Sequence, residues 1–369
     1  MLLTVNKKYP PEVGGIEFVA KELAEIGFEL YGSSEVITFN CEFKNIEEKT
    51  HEVKVYRLKA FSLNRSVRVP FGYIKILKNK ALRASNIIYH FPSFIPELLL
   101  LKNNTQKICL YQADIVGKGI IGEFYNRLVV KRFLDSMDKI VVTSPNMKNT
   151  SELLEGRKNI FVIPLGIDVN HFKPEGDLVK EKILNDFNSK DREQDKILLF
   201  VGRIARYKGL DILLKSLAKL PTNYKLVIVT NGYSSKINRL IRKLEIKSRV
   251  RIYNGISYNE LPEYYRSGDV LCMPSTDRGE AFGLVALESM ACGTPVVTTE
   301  LGTGTSYHNI DGKTGRIIKP NDIEQLKDAI INICSNEDYD KKTIRDRSLK
   351  FSLENFRTNW INMLKNEDI

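Results

Sequence analysis

The chain has 369 residues, a formal net charge of +11 and a hydrophobic content of 43%. This length suits two α/β domains, and the apolar content is sufficient for each of them to bury a core. The five cysteines include no Cys-x-x-Cys pair, which argues against a disulfide framework or a zinc site and favours a reducing compartment. No stretch approaches the ~18 apolar residues of a membrane span, and the apolar run at the N-terminus is too short for a signal peptide. We therefore expect a cytoplasmic protein.

Short β-rich runs alternate with amphipathic stretches in the first half, which is typical of parallel sheets covered by helices on both faces. Strands are predicted at 2–5, 34–39, 53–58, 86–90, 107–112, 139–144 and 159–163. Helices are predicted at 15–26, 70–85 and 120–135. The alternation breaks at 163–176, and we predict an N-terminal, acceptor-side domain over residues 1–175.

The same alternation resumes in the second half. Strands are predicted at 196–202, 225–230, 249–255, 269–275, 294–300 and 315–320, with helices beginning at Gly209, Ser234, Glu260, Gly283 and Asp322. This pattern predicts a second domain over 176–352, and we expect a last helix in 353–369 to pack back onto the first domain. The expected fold class is α/β, with two doubly wound, Rossmann-like domains facing across a cleft that holds the ligand.

The most specific segment is EAFGLVALESMACGT at 280–294. Glu280 lies in a loop after a predicted strand, and Gly283 opens an apolar helix that contains Glu288. Glycine lets the amides at a helix N-terminus approach a phosphate or a sugar closely. In a continuous helix the two carboxylates would be ~12 Å apart, too far for the ~5 Å pair of a retaining glycosidase. We interpret them as two contacts to one elongated ligand, although either residue alone also fits an ordinary helix cap or surface glutamate.

The second segment is FVGRIARYKGLDILLKSL at 200–217. Arg203 and Lys208 lie on the loop between a predicted strand and the helix that begins near Gly209. A planar guanidinium beside a compact ammonium group is suited to binding a diphosphate. Two unrelated surface cations would produce the same pattern.

A third segment, PPEVGGIEFVAKEL at 10–23, places a diglycine before a predicted helix. The amides of Gly14 and Gly15 can form a small concavity that holds an anion. Diglycine before a helix is common, so this segment alone is a weak indication of a site.

Positive charge is concentrated between Val53 and Pro96, where nine Lys or Arg residues occur without any Asp or Glu. The predicted helix at 70–85 carries four of these charges among apolar residues: Lys75, Lys78, Lys80 and Arg83. A basic helix with apolar residues is typical of contact with an anionic membrane surface. A solvated basic face is the alternative. Nucleic-acid binding is disfavoured because we find no helix-turn-helix, zinc knuckle or RNP-type strand.

Taken together, these segments resemble the retaining glycosyltransferases of family 4, which have the GT-B fold. VGRIARYKG at 201–209, EAFGLVALE at 280–288 and MACGTPVVTTELGTGTSY at 290–307 carry the most specific part of the resemblance. With YQADIV at 111–116 and VVTSPNMKNTSELL at 141–154, the chain looks like the subgroup that builds bacterial O-antigen and other surface polysaccharides. Many members of that subgroup have histidine where Gln112 stands, and the N-terminus looks a few residues short by comparison.

The resemblance implies a role for each residue of the three segments. Arg203 and Lys208 would hold the donor diphosphate, and Glu280, with Phe282 and Gly283, would contact the transferred sugar. Glu288 would bind the ribose hydroxyls. The N-terminal domain would contribute two elements to the site: the Gly14–Gly15 amides, which would close over the phosphates, and Asp114, which would lie near the reacting sugar or the acceptor.

The resemblance also implies transfer of a hexose with retention of configuration. No Asp-x-Asp metal motif is evident where the donor would bind, so we expect no metal ion or other cofactor. We expect GDP-mannose as the donor and a glycan, carried on a polyprenyl diphosphate, as the acceptor. The protein would then lie peripherally on the inner face of the cytoplasmic membrane, in lipopolysaccharide or related biosynthesis. UDP- and dTDP-sugars remain alternative donors, and a non-catalytic protein that binds nucleotide sugars is the alternative of a different class.

Overall fold

The computed structural model describes residues 1–12, 14–40, 44–62, 68–94, 96–98, 104–115, 119–189, 191–336 and 338–367. The chain divides into two compact units. Unit 1 contains Met1–Leu165 together with Glu354–Ile369, and unit 2 contains Gly166–Leu353. The division after Leu165 lies ten residues before the domain limit predicted at 175.

Unit 1 is built from alternating strands and helices. Its described strands are β1 (Leu2–Val5), β2 (Ser34–Asn40), β3 (Ile46–Thr50), β4 (Val53–Ser62), β5 (Arg68–Pro70), β6 (Asn86–Phe91), β7 (Gln106–Tyr111), β8 (Lys139–Val142) and β9 (Ile160–Val162). Its described helices before the crossing into unit 2 are α1 (Gly15–Tyr31), α2 (Tyr73–Ala81), α3 (Gly119–Tyr125), α4 (Lys131–Asp135) and α5 (Pro145–Thr150). A π-helical segment, Asn126–Val130, joins α3 to α4 where one continuous helix was predicted.

The sheet of unit 1 has the strand order β3-β4-β2-β1-β6-β7-β8-β9, with β5 paired to β4. The pairs are parallel apart from β3–β4 and β4–β5, which are antiparallel. Strands β1 and β6 are buried along their whole length, which is why they read in the sequence as continuous apolar runs. The order reverses around β1, so the switch point of this sheet lies between β1 and β6.

The C-terminal helix α13 (Leu353–Lys365) packs within unit 1 after its first residue. Its Trp360 side chain is buried. The Arg357 guanidinium lies 2.8 Å from the Glu22 carboxylate of α1, and the Lys139 ammonium donates to the Met363 carbonyl at 2.9 Å. The last helix therefore completes the fold of the N-terminal unit.

Unit 2 contains a single described sheet. Its strands are β10 (Lys196–Val201), β11 (Tyr224–Thr230), β12 (Val250–Asn254), β13 (Val270–Met273), β14 (Val296–Thr299) and β15 (Gly315–Ile318). Its helices are α6 (Lys180–Asp186), α7 (Leu210–Lys219), α8 (Ser235–Lys243), α9 (Leu261–Ser267), α10 (Leu284–Ala291), α11 (Ile323–Ser335) and α12 (Lys341–Leu349). The strand order is β12-β11-β10-β13-β14-β15, and every pair is parallel.

Residues 166–175 belong to unit 2 because of how their side chains pack. The His171 ring stacks on Tyr258 with 4.5 Å between centroids, and the buried Phe172 ring meets Tyr265 at 5.9 Å. Arg345 of α12 donates to the Phe172 carbonyl at 3.1 Å. These contacts join residues far apart in sequence, so the break in strand–helix alternation could not show where unit 2 begins.

Among the described residues, none of the helices has both the length and the apolar character needed to cross a bilayer.

Candidate active site

The strand order of unit 2 brings two of the predicted segments together. It is the doubly wound order in which the first strand, β10, lies between β11 and β13. Ligands of such sheets bind beyond the carboxyl ends of the strands at the switch point, here between β10 and β13. The loop after β10 carries Arg203 and Lys208, and the loop after β13 carries Glu280. The predicted donor residues are therefore neighbours at the switch point.

A glycine holds these two loops against each other. Gly209 has a φ of 68°, in the left-handed region that favours glycine, and a Cβ there would lie 1.9 Å from the Pro274 carbonyl oxygen. The Thr276 amide donates to the Tyr207 carbonyl at 2.7 Å. No larger residue fits this approach, so the position of Lys208 next to the second loop depends on Gly209.

The Lys208 ammonium forms an ion pair with the Glu280 carboxylate at 2.6 Å. Glu280 is 6% exposed. The Ser275 hydroxyl donates to the same carboxylate at 3.3 Å, and the Thr303 hydroxyl donates to the Glu280 carbonyl at 2.9 Å. Glu280 is thus fixed by its side chain and its backbone, and its carboxylate faces a cation.

The charge of Lys208 is maintained by this pairing. Burial acts to lower the pKa of Lys208, but the Glu280 carboxylate and the Tyr207 side chain more than offset that effect, so the pKa is raised. Arg203 is close enough for its charge to oppose the rise. The Arg203 side chain is exposed and makes no ion pair or hydrogen bond with a residue that the structure describes. The loop therefore offers one neutralised cation and one cation available to an anion.

Gly283 opens helix α10 with a φ of 82°, and a Cβ at this position would lie 2.6 Å from the Met273 side chain. The backbone turn that exposes the first amides of α10 therefore requires glycine. The preceding Phe282 side chain is buried, with its ring 5.5 Å from His308 and 6.1 Å from Phe351. The structure places this ring in the interior of unit 2, so Phe282 offers a ligand only its backbone.

Glu288 lies in the second turn of α10, and its carboxylate accepts a hydrogen bond from the Tyr265 hydroxyl at 2.7 Å. Burial raises the pKa of Glu288 to about 7, although the Tyr265 hydrogen bond and the Lys208 charge act in the opposite direction. Glu288 therefore changes its protonation state near neutral pH. Tyr265 of α9 was not predicted as a site residue because the segment LPEYYRS reads as an ordinary amphipathic helix.

In unit 1 the diglycine does precede α1, but a carboxylate of the chain itself lies beside it. A Cβ at Gly14 would be 2.5 Å from the Glu17 carboxylate, and Glu17 is 3.6 Å from the Lys8 ammonium. Glu17 stands three residues after Gly14, the spacing at which a glutamate reaches back over the start of its own helix. The amides at the start of α1 are thus adjacent to an acidic side chain as well as to a lysine.

Asp114 follows β7 and is held by two hydroxyl groups. The Tyr111 hydroxyl donates to one Asp114 carboxylate oxygen at 2.5 Å, and the Ser151 hydroxyl donates to the same oxygen at 2.6 Å. Burial raises the pKa of Tyr111, so this donor stays protonated. Asp114 was predicted from the sequence, but Tyr111 and Ser151 were not. Ser151 lies 37 residues after Asp114 in the chain.

Lys80 differs from the other three basic residues predicted to face a membrane. Its ammonium lies 3.0 Å from the Glu35 carboxylate and 2.6 Å from the Tyr56 hydroxyl, so it is part of the packing of α2 on the sheet. Lys75, Lys78 and Arg83 are exposed. A paired lysine contributes little to attracting a membrane, so the membrane contact predicted for this helix depends mainly on the other three residues.

Two doubly wound units are the architecture expected of the GT-B fold, and unit 2 has a cation–carboxylate pair at its switch point. Residues 181–347 match the family Glycosyl transferases group 1, so the part of the chain with the paired loops is a glycosyltransferase domain of that family. The family resemblance expected from the sequence is confirmed.

Curated relatives match most of the chain. D-rhamnosyltransferase WbpZ of Pseudomonas aeruginosa is 29% identical over 340 residues, which cover 89% of this chain and 85% of the relative. O-antigen chain mannosyltransferase C of Escherichia coli is 28% identical over 348 residues, covering 91% of this chain and 89% of the relative. The chain is therefore similar, along nearly its whole length, to a rhamnosyltransferase and to a mannosyltransferase of O-antigen chains.

Solved structures confirm the predicted α/β fold class. Sucrose-phosphate synthase of Thermosynechococcus elongatus superposes with a TM-score of 0.81 at 21% identity, covering 99% of this chain and 98% of that one. HepE of Anabaena, in complex with UDP and glucose, has a TM-score of 0.77 at 16% identity and 99% coverage of both chains. At these identities the likeness concerns the fold.

Proposed function

We propose that the protein is a hexosyltransferase that moves a sugar, with mannose favoured, from a nucleoside diphosphate sugar to a glycan acceptor. The observation that carries this proposal is the set of Lys208, Glu280 and the available Arg203 at the switch point of unit 2. A diphosphate needs compensating cations, and a sugar needs a fixed carboxylate to accept its hydroxyl hydrogens. The name of one relative, O-antigen chain mannosyltransferase C, supports an acceptor in O-antigen-type polysaccharide synthesis.

In the donor complex, Arg203 and Lys208 bind the diphosphate, with the first amides of α10 contributing partial positive charge. Glu280 accepts hydrogen bonds from the transferred sugar, and Glu288 accepts them from the ribose. The Tyr265 hydroxyl donates to the Glu288 carboxylate at 2.7 Å and so holds that carboxylate in position. Lys208, Glu280 and Glu288 are each held by an ion pair or a hydrogen bond within unit 2, which reduces the reorganisation needed on binding.

The reaction breaks the bond between the anomeric carbon and the diphosphate oxygen and forms a bond to the acceptor oxygen on the same face of the sugar. The acceptor proton moves to the departing phosphate oxygen, and configuration is retained. Negative charge grows on the leaving diphosphate, where Arg203 and Lys208 stabilise it. Because these cations and the α10 N-terminus provide that compensation, we propose that the enzyme needs no metal ion, and activity should persist in EDTA.

Unit 1 provides the acceptor side in this proposal. Asp114, oriented by Tyr111 and Ser151, contacts the acceptor hydroxyl or the reacting sugar. The amides at Gly14 and Gly15 contact the donor phosphates, which requires that Glu17 give way to the ligand.

The acceptor glycan is carried on a polyprenyl diphosphate, and the protein lies peripherally on the inner face of the cytoplasmic membrane. Exposed Lys75, Lys78 and Arg83 support this location, since each basic residue near an anionic leaflet contributes about 1 kcal/mol. Sedimentation with phosphatidylglycerol vesicles at low salt tests it. Protein that stays in the supernatant at low salt contradicts peripheral attachment.

The proposal is tested first by the melting temperature with GDP, UDP, dTDP and ADP, for the wild type and for Glu288→Ala. A nucleotide at 100 times its dissociation constant stabilises by about 2.7 kcal/mol. We expect GDP to raise the melting temperature and Glu288→Ala to lose most of that rise. UDP is the second candidate because HepE, which shares the fold, was solved with UDP-glucose.

Turnover then distinguishes an enzyme from a protein that only binds nucleotide sugars. The identified nucleotide sugar is incubated with a polyprenyl-diphosphate-linked glycan, and NMR gives the configuration of the new linkage. Binding without transfer supports the non-catalytic alternative, and a β-linkage from an α-linked donor contradicts retention.

A further inference from the structure

Apolar side chains are exposed around helix α2 of unit 1. Ile74 on α2 is 51% exposed, and Leu98, in the short 3-10 turn Pro96–Leu98, is 54% exposed. Phe71 and Leu82, at the two ends of α2, are also exposed. Exposed apolar residues that occur singly need no explanation, but a group of them beside basic residues indicates a surface that is covered in use.

A cavity of about 610 Å³ opens between the start of α2 and the turn Pro96–Leu98. Pro70, Tyr73, Ile74 and Leu98 provide apolar walls. The Tyr73 ring is buried and packs edge-on against Phe39 at 5.6 Å, so this wall is part of the core of unit 1. The volume lies within the range of ~300–1,000 Å³ in which proteins bind small molecules.

Two lysines line the same cavity, Lys75 and Lys78. They stand three residues apart on α2, on one face of the helix, with about 5–6 Å between their Cβ atoms. Both are exposed, and neither forms an ion pair with a residue that the structure describes. Neighbouring phosphates of a diphosphate match two ammonium groups at this spacing, whereas a phosphodiester offers a single charge.

Nothing acidic at the surface of this segment competes for the two lysines. From 53 to 96 the sequence contains no Asp or Glu, and the next residue, Glu97, is buried with its carboxylate accepting from the Ser93 amide at 2.5 Å. The α2 lysine that does have an acidic partner, Lys80, is paired with Glu35 and does not line the cavity. The cavity therefore combines an apolar interior with uncompensated positive charge.

We propose that this cavity binds the lipid carrier of the acceptor, with the first isoprene units between Ile74, Tyr73 and Leu98 and the diphosphate on Lys75 and Lys78. The inference rests on the proposed function, because it assigns the recognition of a polyprenyl diphosphate to a defined site of unit 1. Peripheral attachment through charge alone would need neither the cavity nor the pair of lysines at one helical turn.

The test measures binding by calorimetry at low salt, with the donor site saturated by the nucleotide that stabilises the protein. Saturation is needed because Arg203 and Lys208 would also attract a diphosphate. Three probes are compared. Farnesyl diphosphate carries both the diphosphate and an isoprenoid chain, inorganic pyrophosphate carries the diphosphate alone, and dodecyl maltoside carries an apolar chain without charge. We expect farnesyl diphosphate to bind at least tenfold more tightly than pyrophosphate and the maltoside to bind weakly.

Two variants locate the site. Lys75→Ser/Lys78→Ser should weaken farnesyl diphosphate binding at least tenfold, and Ile74→Asp should reduce the advantage of farnesyl diphosphate over pyrophosphate. The matched control is Lys236→Ser/Lys243→Ser, which removes two exposed charges from the nine-residue helix α8 of unit 2. The proposal is overturned if the control loses as much affinity for farnesyl diphosphate as the first variant does. It is also overturned if the wild type binds farnesyl diphosphate and pyrophosphate equally well.

Failure of this inference is distinguishable from failure of the proposed function. If nucleotides bind and sugar is transferred while farnesyl diphosphate does not bind, only the lipid site is wrong. If vesicles of phosphatidylglycerol displace farnesyl diphosphate, the cavity accepts bilayer lipid and the assignment to the acceptor carrier is overturned. The variants remain interpretable as long as their melting temperatures respond to nucleotide as the wild type does.

Discussion

The two units share a doubly wound core of parallel strands but differ in the chemistry at the carboxyl ends of their sheets. In unit 2 the switch point carries charged groups, with Lys208 and Glu280 paired at 2.6 Å. In unit 1 the strands at the switch point end in uncharged polar groups, Asn6 after β1 and His90 in β6. Burial lowers the pKa of His90 to about 3, with Gln112 acting in the opposite direction, so the imidazole is neutral. The topology defines where a ligand binds, and the loops decide which ligand.

In unit 1 a cation also lies beside that edge, because the Lys7 ammonium, directly after Asn6 in the sequence, donates to the Pro92 carbonyl at 3.1 Å. The uncompensated lysines Lys75 and Lys78 are on helix α2, whereas the buried Asn6 side-chain oxygen at the edge has no hydrogen-bond partner among the described residues. The Lys208–Glu280 pair and Arg203 at the edge of unit 2 suit a diphosphate sugar, and the buried neutral groups at the edge of unit 1 suit hydroxyls. We therefore expect changes at the two edges to affect different substrates, and four predictions test that difference.

The largest effect is expected for Lys208→Met. The substitution removes a cation from the diphosphate site and leaves the buried Glu280 carboxylate without its partner, which destabilises unit 2 by about 3 kcal/mol. Nucleotide-dependent stabilisation should disappear and kcat/KM should fall more than about 100-fold. Calorimetric melting and initial rates measure both. Lys215→Met is the control, because Lys215 pairs with Asp211 at the surface of α7; a wild-type response to nucleotide in Lys208→Met would contradict the assignment.

The second prediction separates binding from transfer at the same pair. In Glu280→Gln the Lys208 ammonium loses the carboxylate that neutralises it, so the affinity for nucleoside diphosphate should rise about threefold to tenfold. Turnover should fall about 100-fold because an amide is a weaker acceptor for the sugar hydroxyls. Titration calorimetry with nucleotide and steady-state rates give the two values. Weaker nucleotide binding in this variant would show that Glu280 does not compete with the diphosphate for Lys208.

The third prediction uses the titration of Glu288. Its folded pKa of about 7 lies above the ordinary value of 4.5, so this group favours the folded state at low pH and that contribution is lost as pH rises from 4.5 to 7. Nucleotide binding has the opposite dependence, because the ionised carboxylate is the better acceptor for ribose hydroxyls. Affinity should increase about tenfold between pH 6 and pH 8, as the ionised fraction grows. Glu288→Gln should remove that increase, and an unchanged pH profile in this variant would exclude Glu288 from the ribose contact.

Much of this arrangement could be predicted from the sequence, because the relevant signals are local. Parallel strands buried on both faces read as short apolar runs, and the strand predicted at 225–230 is β11, Tyr224–Thr230. The edge strand β3, Ile46–Thr50, was missed because its sequence, IEEKT, is largely polar. Lys208 and Glu280 could be chosen as candidates from the sequence because each belongs to a short motif that contains a glycine.

What could not be predicted depends on contacts between distant residues. Lys80 and Glu35 are 45 residues apart, and nothing in the local sequence distinguishes Lys80 from Lys78. Phe282 lies in the motif EAFGL, but its burial depends on Gly304, where a Cβ would lie 2.1 Å from the Phe282 ring. The pattern of residues in the sequence therefore identifies the segments that form a site, whereas the direction of each side chain depends on tertiary packing.

The smallest effect is expected in unit 1, for Tyr111→Phe. The ring keeps its stacking on Phe91, 4.7 Å away, and loses only the hydroxyl that donates to Asp114. Ser151 still holds the carboxylate, so kcat should fall about threefold to tenfold, consistent with one hydrogen bond to a charged group. The KM for the nucleotide sugar should change little, because unit 2 makes most of the contacts proposed for that substrate. Tyr125→Phe is the matched control, since its hydroxyl donates to the Phe94 carbonyl at 2.6 Å. An equal loss of kcat in both variants would mean that Tyr111 only supports the fold. A raised KM for the nucleotide sugar in Tyr111→Phe would contradict the expectation that the two sheet edges act mainly on different substrates.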